Sequence, residues 1–507
     1  MQPFAYERIN ESTWMYVSTF LILSFFFKFN RAWSIRNLDL FLIILLAPGL
    51  LLIQSGRVEH IDFLKQQAIQ QQAPSNDLKS KSQSPIVNQA AFRKSVQNED
   101  KPEASLDPNA EIDIETGASE LGFYEPGLAR QRFGFFWMFG IGGLIMIRML
   151  IDPLFKRRPV LDPNLSIGGM VFLGLSLLVF VLANVATYSP GKEDIEAARS
   201  AVKMLKREAA NESEDEQLIQ HGPGFRLLYL APVLSTFETS DEIRETGADA
   251  AANQGRYVIA AKSVAITSQI LIVLGLILFC HYHFANFHLG VGIATIYMLL
   301  PYTVIFTGNV MHTVPAALLI WALVCYRIPL ASGIFIGLAT GVTYYPLFLM
   351  ALWISYYWER RWRTFLIGFF ISIVICICSL FFTSTDSIDF VRQLQAMFAF
   401  WFPRVEHLEG IWALGIDEIW RLPLLVAFVL LSVSFAFWPS VKDIGTLVAY
   451  TAALMAAVQF WHGFGGGLYV AWYLPLALLV MFRPNVVGRI ATTEVKLRRR
   501  KTAESVL

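Results

Sequence analysis

The sequence predicts an all-α, polytopic integral membrane protein of about thirteen transmembrane helices, counting about twenty apolar residues per crossing. Three observations carry that prediction. Of the 507 residues, 55% are hydrophobic and only 16% charged, whereas a soluble domain has about a quarter of its residues charged. Aromatic residues make up 14%, with 40 Phe and 13 Trp, a content that suits lipid-facing helices and interfacial belts. Third, apolar runs long enough to cross a bilayer recur along the whole chain.

In order, these runs fall at 14–29, 38–54, 133–151, 166–187, 258–280 and 288–306, then at 312–326, 329–343, 345–357, 363–383, 421–438, 443–460 and 466–482. They divide the chain into two N-terminal transmembrane helices (1–54), a polar loop (55–132), two more transmembrane helices (133–187), a second polar loop (188–257), a transmembrane core (258–484) and a basic tail (485–507). The opening MQPFAYERINESTW has neither a basic stretch nor a small-residue cleavage site, so the first run reads as a retained span. Runs 329–343 and 345–357 are short for a crossing. They read either as two half-helices meeting at Tyr344-Tyr345-Pro346 or as a kinked helix with an interfacial piece.

Orientation follows from the Lys and Arg residues beside the runs. Lys28, Arg31 and Arg36, then Lys156 to Arg158, then Arg360, Arg361 and Arg363, and finally Arg498 to Lys501 share one side only if every run crosses. By the positive-inside rule that side is the cytoplasm, which puts the N-terminus outside and the C-terminus inside. Both long loops then face outward. The first is rich in Gln, Ser, Asn, Pro and Lys between Gln66 and Ala110 and is expected to be largely disordered. The second begins with Lys192–Ala210, whose apolar residues recur at helical spacing after an acidic start, as in a helix on the membrane surface. Gly222–Phe237 is apolar but too short to span.

The most informative stretch is Leu299–Arg363. Pro301, Gly308, Pro315, Pro329 and Pro346 interrupt its apolar runs, and irregular backbone at membrane depth survives only inside protein or around a water-lined cavity. Gly333, Gly337 and Gly341 recur every four residues and let a neighbouring backbone approach closely. Thr307, Gly308, Asn309 and His312, followed by Tyr344, Tyr345 and Pro346, add polar groups at span ends, where such groups are often functional. The turn Trp461–Gly467 contains four glycines and reads as flexible.

Other chemistry finds no foothold. Cys280, Cys325, Cys376 and Cys378 fall in apolar runs as small buried hydrophobes, and no zinc spacing or disulfide framework exists. His281, His283 and His288 have no carboxylate within reach in sequence and read as interfacial. No phosphate-binding loop, dinucleotide fingerprint or nucleophile elbow is present. The net charge of +1 offers nothing to nucleic acid. Within the spans ionisable residues are few, and Arg148, near an inward end, reads as a snorkelling side chain.

Three stretches carry a resemblance. GNVMH at Gly308–His312, PLASGIFIGLATGVTYYP at Pro329–Pro346 followed by WERRWR, and LYVAWYLPLALLVMFRP at Leu468–Pro484 together resemble the C-type glycosyltransferases, in particular their mannosyltransferase-like bacterial branch. The likeness covers about 166–484. It departs from the family pattern at Asn309, where Gln is usual, and near Tyr344, where Lys is usual.

The resemblance implies a membrane enzyme of the bacterial envelope. It would move a sugar, such as mannose, from a polyprenyl-phosphate donor to an acceptor hydroxyl on the outer face. It needs no cofactor beyond, at most, a divalent cation, and its partners are membrane lipid and the lipid-linked sugar. It also implies an acidic residue early in the first outward loop of the core, a place held by Glu193 and Asp194. Asp194 is the expected base, because a hydroxyl must lose its proton as it attacks the anomeric carbon. Glu193, about a quarter-turn away on a helix, is expected to matter less. Asn309, His312, Tyr344 and Tyr345 would line the cavity, and Arg226, Arg404 and His462 would supply charge to the donor phosphate. The competing class is a non-catalytic envelope scaffold or a transporter. Transporters place ionisable groups mid-span, whereas here the acidic residues gather at the outer mouth.

Overall fold

The computed structural model describes residues 10–72, 126–155, 161–206, 221–236, 247–384, 386–398 and 408–484. Every regular element among them is a helix. Six helices are long and apolar enough to cross a membrane: Ile35–Gln67, Leu128–Leu150, Ile167–Thr187, Gln254–Phe284, Trp362–Phe381 and Glu418–Phe437. The protein is therefore read as an integral membrane protein, with shorter apolar helices alongside.

Burial sorts the helices into two shells. Glu418–Phe437 buries only 22% of its apolar window and Ile167–Thr187 33%, leaving apolar faces for lipid. Four of the short helices lie inside. Every residue from Gly445 to Val458 is buried, as is every residue of Leu474–Phe482, and Phe287–Leu299 and Val310–Val324 are buried along most of their length. Broken and capped backbone is thereby confined to protein surroundings, where its free ends can find partners.

The breaks follow the local sequence. Leu300 is extended and Pro301 opens the next helix, a position where its missing N–H costs nothing. Gly308 and Asn309 turn the chain, and the Asn309 side chain caps Val310–Val324 by accepting from the Met311 amide at 3.0 Å. Pro329–Val342 and Met350–Tyr357 form a hairpin reversing at Thr343–Tyr345, since the Tyr357 hydroxyl returns to the Tyr326 carbonyl at 2.6 Å. This resolves the two readings of 329–357. The glycine stripe packs backbone on backbone: a Cβ at Gly333 would lie 2.1 Å from the Phe365 carbonyl oxygen, and one at Gly337 2.6 Å from that of Phe369.

Two sequence expectations need correction here. The polar loop expected from residue 55 begins as helix, because Leu46–Gln72 continues through it and packs on Leu128–Leu150; Arg130 pairs with Glu59 at 2.9 Å across the two. Residues 73–125 lie outside the described residues. Nor does Arg148 snorkel. It is 8% exposed and grips Asp39 through Nε at 2.8 Å and Nη2 at 3.0 Å while Nη1 holds Asp152 at 2.9 Å. Arg483, beyond the last helix, closes on the other Asp152 oxygen. Four buried charges thus tie the N-terminal helices to the core.

Turns that charge counting assigned to one side meet one another. Lys28 bonds Asn164 at 2.7 Å and Lys442 bonds Ser355 at 2.8 Å at one end. At the other, Arg132 bonds the Leu414 carbonyl at 2.7 Å and the Gly222 amide bonds the Val342 carbonyl at 3.0 Å.

Candidate active site

The helix Lys192–Lys206 sets the acidic pair. Its alanine face, Ala197, Ala198 and Ala201, is fully buried with Phe225, Tyr229, Ala260, Ala261 and Ala265, so it lies against protein and not on a membrane surface as expected. Small residues on that face bring its first turn close to the start of Val310–Val324.

Asp194 is 3% exposed. The Tyr229 hydroxyl donates to its Oδ1 at 2.8 Å, and the Val310 backbone N–H, the first of its helix, donates to the same carboxylate. Burial raises its pKa to about 7, the Tyr229 hydrogen bond opposes the rise, and the neighbouring Glu193 charge adds to it. A carboxyl in that range changes protonation near neutral pH, as a general base must.

Glu193 points elsewhere, as the quarter-turn requires. Its side chain is 40% exposed and meets the His221 ring at Nε2 over 3.2 Å. Burial pushes its pKa up, but the contact with His221 outweighs that and leaves it below its ordinary value, so this carboxyl stays ionised.

A short roof, Gly224–Leu227 and Leu230–Thr236, covers these groups. It is seated by close backbone contact: a Cβ at Gly222 would lie 2.1 Å from the Gly341 oxygen, and one at Gly224 2.8 Å from it. Glycine at 222 and 224 is what permits that approach. Arg226 is carried inward on this roof, is 3% exposed, and its charge acts on the Tyr344 hydroxyl.

The three stretches singled out in the sequence converge beside the roof. His312 lies between the rings of Phe306 and Tyr469, at 4.4 and 4.5 Å. The Tyr302 hydroxyl donates to the Leu468 carbonyl at 2.6 Å and contacts His312 Nδ1, so the ring's Nδ1–H faces Tyr302. Trp472 donates to the Met311 carbonyl at 2.8 Å. Tyr345 packs on His462 at 4.7 Å and on Trp472 at 5.4 Å. Arg421 and His221 lie near enough to His462 to influence it electrostatically, which joins this aromatic cluster to the acidic pair.

Of the expected site residues, Asp194 and Asn309 meet through the Val310 amide, while Glu193 stands one step out. His312, Tyr345 and His462 form one stacked cluster, and Tyr344 faces Arg226. Arg404 lies outside the described residues. The expectation of a flexible Trp461–Gly467 turn is overturned. Gln459 Oε1 accepts from the Gly467 amide at 3.2 Å and the Tyr469 amide at 3.1 Å, and His462 Nδ1 accepts from the Phe464 amide at 3.1 Å. Sequence reasoning missed Tyr229, His221, Tyr302 and Tyr469. A polar side chain inside an apolar segment too short to span, as in GFRLLYLAP, was the available signal for Tyr229.

Comparison with protein-family models, with curated proteins and with solved structures finds no match to this chain.

Proposed function

We propose that the protein is a membrane glycosyltransferase that moves a sugar, such as mannose, from a polyprenyl-phosphate donor to an acceptor hydroxyl on the outer face of a bacterial plasma membrane. The observation that carries this reading is Asp194: a buried carboxyl with a pKa of about 7, held by the Tyr229 hydroxyl and the Val310 amide beside the Gly308–His312 turn. In this reading the acceptor oxygen attacks the anomeric carbon, its proton passes to Asp194, and the bond to phosphate breaks with the electron pair leaving on the lipid phosphate. Arg226 faces the developing phosphate charge, whereas His462, expected to add a second charge, is kept neutral by burial and has only Nε2 left to donate a hydrogen bond, since Nδ1 accepts from the Phe464 amide. The chain crosses about thirteen times on the twenty-residue rule, with its N-terminus outside and its C-terminus in the cytoplasm.

The transport reading has one observation in its favour, the buried charges Asp39, Arg148, Asp152 and Arg483. They are balanced in number and joined to one another, which suits a fixed clamp better than a site that loads and releases an ion. Mass spectrometry of envelope glycans and lipid-linked sugars, with the gene intact, deleted, or carrying Asp194→Asn, tests the proposal. Loss of one glycan with accumulation of its lipid-linked donor is expected in the second and third strains. An unchanged inventory favours the scaffold.

A further inference from the structure

We propose that His221 is a contact of the acceptor substrate, accepting at Nδ1 a hydrogen bond from a second hydroxyl of a sugar or other polyol, and that it does not bind the donor phosphate. This deepens the glycosyltransferase reading and rests on it.

Glu193 fixes the tautomer of His221. His221 Nε2 lies 3.2 Å from a Glu193 oxygen. An ionised carboxylate has no proton to give, so the imidazole must donate there, and Nε2 carries the hydrogen. In the neutral ring Nδ1 is then a lone pair, an acceptor only. The same division of labour lets a carboxylate fix an imidazole in catalytic triads.

Nδ1 is buried and has no hydrogen-bond partner among the described residues, and the whole residue is 4% exposed. A buried acceptor without a donor is costly to keep. The ring is also held in place. It packs against Phe225 at 4.7 Å, and the next residue is locked by the Gly222 amide on the Val342 carbonyl and by backbone contact with Gly341. His221 therefore cannot easily turn away to satisfy itself. The ring also lies near enough to Asp194 and to His462 to influence both electrostatically, which places it between the base and the aromatic cluster.

An acceptor-only nitrogen selects its ligand by chemistry. A polyprenyl phosphodiester is anionic and has no proton to donate, so it gains nothing at Nδ1. An acceptor carrying two neighbouring hydroxyls can offer one to Asp194 for deprotonation and the other to His221. The acceptor is thus a polyol, and the roof Gly224–Thr236 must lift to admit it.

The test uses the full-length protein in lipid nanodiscs, titrated with methyl mannoside, methyl glucoside, methyl galactoside and glycerol, and separately with farnesyl phosphate, with tryptophan fluorescence as readout. His221→Gln keeps a donor toward Glu193 but loses the acceptor at the Nδ1 position. His221→Asn keeps an acceptor there. The parent is expected to bind at least one polyol, His221→Gln to bind it about tenfold more weakly, the size of one lost hydrogen bond, and His221→Asn to bind it nearly as the parent does. Farnesyl phosphate should bind all three alike.

Loss of farnesyl phosphate binding in His221→Gln with polyol binding intact overturns the proposal, and so does a parent that binds none of the four polyols. Nitrogen-15 spectra of histidine-labelled parent give a reading that does not depend on variant folding. An unprotonated Nδ1 at neutral pH is expected, and a protonated one overturns the assignment. Polyol binding that survives in a parent with no transfer activity would sink the glycosyltransferase reading alone.

Discussion

Tyr229 and Asp194, 35 residues apart in the chain, are joined by a hydrogen bond of 2.8 Å that is closed off from solvent. The hydroxyl donates to the charged form of the acid and so works against the burial that raises its pKa. Tyr229→Phe removes the donor and leaves the ring. The pH midpoint of transfer should then move upward from about 7 by about one to two units, the worth of a hydrogen bond to a charged group. Rate profiles of parent and variant check this, and an unmoved midpoint would exclude Asp194 as the group titrating in the profile.

Asp194→Asn should abolish transfer while leaving the protein inserted, because an amide keeps the shape but takes no proton. Its stability should depend on pH in a definite sense. The folded pKa of about 7 lies above the ordinary 3.8, so between those values the folded state binds more protons than the unfolded one. Stability from this group is present at low pH and lost as pH rises through about 7. The variant should therefore melt higher than the parent at pH 8, with the advantage shrinking toward pH 4. Thermal unfolding in detergent at both values tests it.

Gly333→Ala should destabilise the protein by about 2 kcal/mol or more, as overpacking does, since its Cβ would lie 2.1 Å from the Phe365 carbonyl oxygen. Gly140→Ala is the control. Nothing lies within 4 Å of its Cβ, and a helical Gly to Ala change there should be neutral or stabilising by up to about 1 kcal/mol. Equal effects of the two substitutions would contradict the backbone packing of Pro329–Val342 on Trp362–Thr383.

Arg148→Met should cost about 3–5 kcal/mol by leaving Asp39 and Asp152 buried without their shared cation. Adding Asp39→Leu should recover part of that loss, because one stranded charge is removed with its partner. Melting temperatures of the two variants decide between a clamp and an incidental contact.

Reporter fusions after Pro190 and after Lys501 should report opposite compartments, the first outside and the second cytoplasmic. The same compartment for both would require an even number of crossings.

Much of the site was legible before folding because its signals are local. Proline and glycine breaks in Leu299–Arg363 marked irregular backbone that had to be buried, and Gly308, Pro329 and Tyr345 do lie at turns or helix starts in the bundle, whereas Pro315, expected to break its run, sits inside the continuous helix Val310–Val324. The parity of basic residues put Asp194 and Asn309 at one end of the spans, and the Val310 amide joins them there. What stayed hidden were partners distant in sequence. No periodicity links His221 to Glu193 or Tyr302 to Leu468, and the turn around Gly463, flexible by composition, is fixed by side chains from Gln459 and His462.

By itself the sequence determined that this chain is a bundle of apolar helices, where those helices break, and which ends carry charge. Hydrophobicity, proline and glycine act on a residue and its near neighbours, so their consequences can be read along the chain. Tertiary structure alone decided that Arg148 is a buried clamp and not a snorkelling cation, because Asp39 reaches it from 109 residues away. It likewise decided that Asp194 titrates near neutrality. A carboxyl's proton affinity is set by the water it loses and the donors it gains, and both come from segments that meet it only when the chain is folded.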